Sequence, residues 1–139
     1  MAIVCRRIGP EDIGALDRIA DEVFDEAVDA TRLARYLATP SHLMVLAFDG
    51  DLVVGQCMGV IHHHPDKSSE LYVDEVGTAS AYLRQGIATA MMEMLFAWAK
   101  DLGCSEAWLG TDLDNLAANG LYHRMGASAE AINYYEFTL

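Results

Sequence analysis

The run Arg84-Gln-Gly-Ile-Ala-Thr89 stands where a strand pattern gives way to a long amphipathic helix. Upstream, Glu70-Leu-Tyr-Val-Asp-Glu-Val76 reads as a strand. Downstream, Ile87, Ala90, Met91, Met94, Leu95, Trp98 and Leu102 recur at steps of three and four, the spacing of one helix face. A glycine at a helix start leaves backbone N–H groups uncovered. With the positive end of the helix dipole, those groups make an anion site, and Arg84 adds a full charge beside it. The chemistry on offer is the holding of a phosphate or pyrophosphate. The run is not a P-loop, because no Gly-Lys-Ser/Thr follows the glycine. It is not a dinucleotide fingerprint, because one glycine stands where three are needed. On local sequence alone, a plain tight turn at Gly86 explains the junction equally well.

Two further groups invite a chemical reading. His62, His63 and His64 suggest a metal site, but side chains alternate along a strand, so three consecutive histidines cannot all face one ion. We expect no metal; a single one of them, His62 or His64, suits the lining of a substrate pocket. Glu11, Asp12, Asp17, Asp21, Glu22, Asp25, Glu26 and Asp29 crowd into one segment, with only Arg18 against them. A solvated helix face is the plain account. The sharper one is a rim, with Asp21 and Asp25 in it, that draws in a polycation. On a helix, Asp17–Asp21, Asp21–Asp25, Glu22–Glu26 and Asp25–Asp29 repel at a cost of a few tenths of a kcal/mol each. A bound cation would relieve that cost.

The elements that must position these groups follow from the hydropathy pattern. Ile3 to Ile8 is a strand. Pro10 suits the first turn of a helix whose apolar face is Ile13, Leu16, Ile19, Ala20 and Val23. A short helix runs from Thr31 to Leu37, stopped near Pro40. Leu43 to Phe48 and Leu52 to Ile61 form a hairpin about Asp-Gly-Asp. The strand before Gly86, its helix, and a strand from Ala107 to Gly110 come next. A last helix opens at Asn115, with Asp114 or Asn115 as its cap, and ends at Gly126. Ile132 to Phe137 closes the chain as a strand. Hairpins combined with a strand–helix–strand unit argue for one mixed α/β sheet with helices on its faces.

Length and composition bound the function. The 139 residues are expected to make one domain, 1–139. An apolar fraction of 53% excludes a disordered chain. No run approaches the ~18 apolar residues of a membrane span, and Ile3-Val4 leads straight into Cys5-Arg-Arg7 with no signal-peptide pattern. Cys5, Cys57 and Cys104 are odd in number and scattered, as buried thiols in a reducing, cytoplasmic setting would be. The net charge of −12 predicts repulsion of nucleic acid and anionic membranes and attraction of cations. Homodimer formation stays open.

Two motifs together bring a family into view. Leu83-Arg-Gln-Gly-Ile-Ala88 resembles the acetyl-CoA loop of the GCN5-related N-acetyltransferases (GNAT), usually Arg or Gln, two residues, Gly, one residue, then Gly or Ala. Leu83 departs at the first position, which touches a side-chain contact and not the backbone ones. Asn115, Ala118, Leu121 and Tyr122, closed by Gly126, resemble the family's final motif. Phe48 to Gly55 looks like its hairpin between the second and third strands. Ser69 to Val76, Arg84 to Ala90 and Gly120-Leu-Tyr122 look most like the aminoglycoside 3-N-acetyltransferase branch.

The resemblance implies a mixed sheet of about six strands with four helices. Central strands near Glu75 and Leu109 splay to admit the pantetheine arm of CoA. It implies acetyl-CoA as cosubstrate, with Arg84, Gln85, Gly86, Ala88 and Thr89 on the pyrophosphate, Asn115 on the cofactor, and backbone at Val76 and Thr78 pairing with pantetheine. Tyr122 is the implied acid for the leaving thiolate. Glu75 and Asp112 are implied as base or as ammonium ligands, with Glu136 a third acid near the C-terminus. The acceptor is then an aminoglycoside-like cationic amine. A polyamine, a protein N-terminus, or a non-catalytic CoA-binding regulator are the alternatives.

Overall fold

The computed structural model describes residues 2–139. Residues up to Leu109 form one compact unit and residues from Gly110 a second. In the first, strands β1 (Ile3–Ile8), β2 (His42–Asp49), β3 (Leu52–His62), β4 (Glu70–Thr78) and β5 (Glu106–Trp108) make one sheet in sequence order. The first four are antiparallel and β5 joins β4 in parallel. Helices α1 (Ala30–Ala38) and α2 (Ile87–Asp101) flank the sheet, and Pro10–Leu16 is a 3-10 helix. The second unit holds α3 (Leu116–Arg124).

The β2–β3 hairpin turns at Gly50, whose φ of +61° suits a two-residue loop. Both strands are buried on both faces, which their near-continuous apolar runs require. One face carries Met44, Leu46, Phe48 and Met58 together with Leu16, Val23, Leu33 and Leu37. Against the other lies α2, burying Ile87, Met91, Met92, Leu95 and Ala99. Gly55 lets α2 approach: a Cβ there would stand 3.0 Å from the Met91 Cε. Full burial of a Leu95-sized side chain contributes about 2–3 kcal/mol. The α2 stripe is rotated from the expected one, since Leu102 is exposed while Met92 and Ala99 are buried. Trp98, half-buried, is covered by the Arg7 guanidinium.

Three expectations need correction. The sheet has five strands, not about six: Ile132 to Phe137 forms no strand, and a strand needs a ladder partner that residues 110–139 do not offer. The last strand is Glu106–Trp108, ending before Gly110. The acidic segment is not one helix. It stops at Leu16, because Arg18 and Ala20 turn to β3 instead: Val53 N donates to Arg18 O and Ala20 N donates to Val53 O, both at 2.9 Å. With the helix gone, the four-apart carboxylates are not helical neighbours, and no i,i+4 repulsion arises between them.

Among the described residues, no helix is long and apolar enough to cross a membrane, and Cys5, Cys57 and Cys104 are free thiols.

Candidate functional site

The site in the first unit is built on an irregularity of β4. Met58 pairs with Glu75 and Gly59 with Val73, so Asp74 is an extra residue opposite β3. Such a bulge bends a strand and re-aims the side chain beside it. The parallel ladder to β5 ends at Tyr72 and Trp108. Within residues 1–109, Val73 to Thr78 therefore has β3 on one edge and no β5 on the other, the splay expected near Glu75. Val76 pairs with Cys57 and Thr78 with Gly55 on the β3 side.

A cleft of about 370 Å³ opens over this bend. Met44, Met58 and Glu75 form its floor, Arg32, Leu33 and Tyr36 of α1 one wall, and Phe24 to Asp29 the rim. Four carboxylates, Asp25, Glu26, Asp29 and Glu75, thus share it with the Arg32 guanidinium. Burial pushes the Glu75 carboxyl above its ordinary value, and the charges of Asp25 and Asp74 push the same way. A hydrogen bond from Gln56 opposes them. A half-buried carboxylate with a raised pKa, facing a cleft, is suited to accept a proton from an ammonium.

The neighbouring groups narrow the chemistry. Tyr36 donates its hydroxyl proton to Leu43 O at 2.7 Å, and burial raises its pKa well above the ordinary phenol range. It is a fixed donor and not an acid. Burial pushes the Cys57 thiol up to about 12, which removes thiolate nucleophilicity from β3.

The acidic segment divides by role. Asp12 accepts from Gly9 N at 2.9 Å and pairs with Arg6. Asp29 caps α1 through Arg32 N at 2.8 Å. Glu22, at a left-handed φ of +71°, accepts from the Ser80 hydroxyl at 2.6 Å. Asp25 and Glu26 face the cleft; Asp21 is exposed and outside its lining. His62 and His64 also lie outside that lining. His62 packs against Tyr72 and Trp108, which also contact each other, and His64 meets Glu70 at 2.8 Å.

A second feature of this unit is the loop ahead of α2. Arg84 and Gly86 are both left-handed, at φ +62° and +76°, and both are exposed. Gly86 is the N-cap of α2 with no side chain capping the helix, and nothing stands within 4 Å of where its Cβ would lie. No side chain caps the first turn of α2, and the exposed Arg84 stands two residues before its N-cap, an arrangement that suits a phosphate.

In the second unit, Asn115 is the cap of α3, accepting from Ala118 N at 3.2 Å; Asp114 is not. Asn119 donates to the Asp112 and Asn115 carbonyls at 3.0 and 2.8 Å, locking the turn. Gly126 takes the left-handed φ of +89° beyond the helix end. Tyr122 is half-buried on α3, and Asp112 and Glu136 are exposed.

The hydropathy pattern did not point to Tyr36, Arg32 or Gln56. For Gln56 a signal existed: it is the lone strongly polar residue inside Leu52 to Ile61. Tyr36 and Arg32 carried none, since nothing local says which way α1 faces.

The description Acetyltransferase (GNAT) family matches residues 13–127. The aminoglycoside N(6′)-acetyltransferase type 1 of Serratia marcescens is 30% identical over 109 residues, 74% of this chain and 75% of that protein. Among solved structures, an aminoglycoside acetyltransferase from an uncultured soil metagenomic sample, in complex with sisomicin, superposes with a TM-score of 0.85 at 14% identity, over 99% of this chain and 96% of that one. The aminoglycoside N-acetyltransferase AAC(6′)-Iy in complex with CoA gives 0.82 at 14%, over 99% and 96%.

Proposed function

Because the chain belongs to the GNAT acetyltransferase family, we propose that it moves an acetyl group from acetyl-CoA to a primary amine of a cationic small molecule of the aminoglycoside type. The cleft carries this reading: Asp25, Glu26, Asp29 and Glu75 line one cavity, a field for ammonium groups with a proton acceptor at its floor. Sisomicin in the soil enzyme and the naming of the Serratia relative support the acceptor class. CoA in the AAC(6′)-Iy complex supports the donor. The Serratia relative and AAC(6′)-Iy carry the 6′ designation where the motifs look like the 3-N branch, so product analysis decides the ring position.

In this reading the backbone at Gln85, Gly86, Ala88 and Thr89, with the Arg84 guanidinium, holds the pyrophosphate. The Val76 and Thr78 backbone pairs with the pantetheine arm, and Asn115 serves the cofactor side. Glu75 takes the amine proton as the nitrogen attacks the thioester carbonyl, with Asp112 as alternative base or ammonium ligand. Asp25 and Glu136 hold further ammonium groups, and Asp21, outside the cleft lining, serves substrate binding through the field that gathers them. As the C–S bond breaks, Tyr122 gives its proton to the thiolate. Residues 1–139 act as one N-acetyltransferase domain.

Thiol release with acetyl-CoA against a panel of amines tests the proposal. Sisomicin, neamine and spermidine should be turned over, with neutral sugars inert. Tight CoA binding with no turnover of any amine would make the chain a CoA-binding regulator instead.

A further inference from the structure

Gln56 is the single polar residue among the described buried set, 1% exposed in the middle of β3. Its Nε2 lies 3.2 Å from the Val23 carbonyl oxygen and 3.5 Å from Glu75 Oε1. Among the described residues its own Oε1 has no hydrogen-bond partner. A buried acceptor left without a partner is costly, and an amide that could turn over to satisfy it would do so. It does not turn, because two acceptors converge on the nitrogen: a main-chain carbonyl of the acidic segment and the carboxylate on the cleft floor. Only an NH2 group can serve both at once. The acidic segment is also pressed onto the sheet at this point, since a Cβ at Gly77 would stand 2.4 Å from the same Val23 oxygen.

We propose that Gln56 is a positioning residue, its side-chain amide tying the Asp25-bearing segment to the Glu75 carboxylate so that the two acids present one ammonium site. The inference rests on the reading of Glu75 as proton acceptor, but its structural half can be tested without turnover. The groups around Glu75 are Asp25, Glu26 and Asp29 from the segment, Arg32 and Tyr36 from α1, Asp74 beside it on β4, and Cys57 on β3. Asp25 and Asp74 oppose ionisation of Glu75, burial does so most, and the Gln56 N–H is the contact that favours it. Without that N–H, Glu75 should hold its proton to higher pH, and the Val23 carbonyl should release the segment.

The first experiment uses the wild-type chain. A carbon-detected NMR titration of the Glu75 side-chain carboxyl should show a midpoint above the ordinary carboxylate value, and the Gln56 side-chain NH2 resonance should move with the same midpoint. An NH2 resonance that stays fixed through the Glu75 titration overturns the proposal, whatever the enzyme acetylates. The second uses Gln56→Met and Gln56→Leu. In both, the acid limb of kcat/KM should move to higher pH, with an about tenfold larger loss on the acid side than on the plateau, and KM for the amine should rise. In a Glu75→Gln background the Gln56 substitutions should no longer alter the pH profile. A loss that is uniform in pH and persists with Glu75→Gln would mark Gln56 as a packing residue and refute the positioning role. If Glu75→Gln alone leaves kcat/KM unchanged, the proton-acceptor reading fails while the NMR coupling still stands or falls separately.

Discussion

At the scale of single residues, the ionisation of Glu75 links the stability of the fold to the proposed proton transfer. Its folded pKa is raised, so the fold prefers the protonated form. The charged form is therefore a stability penalty that is present at neutral pH and relieved as pH falls through the folded pKa. Glu75→Gln should raise stability at pH 7, and only slightly, because solvent screens a half-exposed group. The gain should vanish below pH 4.5, the ordinary value. The same substitution should lower kcat/KM about 10²-fold or more. Thermal melts at pH 4 and 7, with initial rates, check both halves; a variant that is neither stabilised at pH 7 nor slowed contradicts the assignment. Tyr122 tests the other proton. Tyr122→Phe should cut kcat about 10²-fold and leave KM nearly unchanged, because a leaving-group acid acts only in the transition state. Wild-type turnover would remove Tyr122 from the reaction.

At the scale of elements, two backbone features do the positioning. Gly86 at φ +76° starts α2 with no side chain capping it and open space where its Cβ would lie. A glutamate there would fill that space with negative charge. Gly86→Glu should abolish CoA binding in calorimetry, while the left-handed φ costs only about 1–2 kcal/mol of stability. Unchanged affinity would discard the cradle. Gly77 is the second: with a methyl group 2.4 Å from the Val23 oxygen, something must shift. Gly77→Ala should destabilise by about 1–3 kcal/mol and raise KM for the amine more than KM for acetyl-CoA, because the part displaced is the acidic segment. Equal effects on both constants would disconnect the segment from the acceptor.

At the scale of the whole molecule, a net charge of −12 sets a field that gathers cations. That field is screened over about 8–10 Å at physiological salt. KM for a polycationic aminoglycoside should rise with added salt, and KM for a monoamine should rise much less. The structure divides the acidic residues in this respect. Asp25→Asn and Glu26→Gln, in the cleft lining, should raise KM at every salt concentration. Asp21→Asn, exposed and outside the lining, should lessen only the salt dependence. If the three changes act alike, the cleft has no part in discriminating among amines.

Much of this molecule was legible along the chain, because the signals concerned are local. The β2–β3 hairpin, α2 behind Gly86 and α3 between Asn115 and Gly126 each follow from periodicity and from a turn or cap within a few residues. The left-handed Gly86 junction is read the same way, since a helix start and its glycine are neighbours in sequence. The acidic segment was misread for the opposite reason. Ile13 to Val23 has helical spacing, but Arg18 and Ala20 gain more by bonding to Val53 of β3, and no local pattern records a partner that far along the chain. The strand expected at Ile132 to Phe137 failed likewise, because alternation cannot supply a ladder. The cleft belongs wholly to the tertiary structure. Asp25, Tyr36, Gln56 and Glu75 come from three strands and helices and a loop, and only packing of α1 and the segment over the β4 bulge brings them together. The raised pKa of Glu75 exists only there, since burial and the Asp25 charge, its chief causes, are products of folding and absent from the chain as a string.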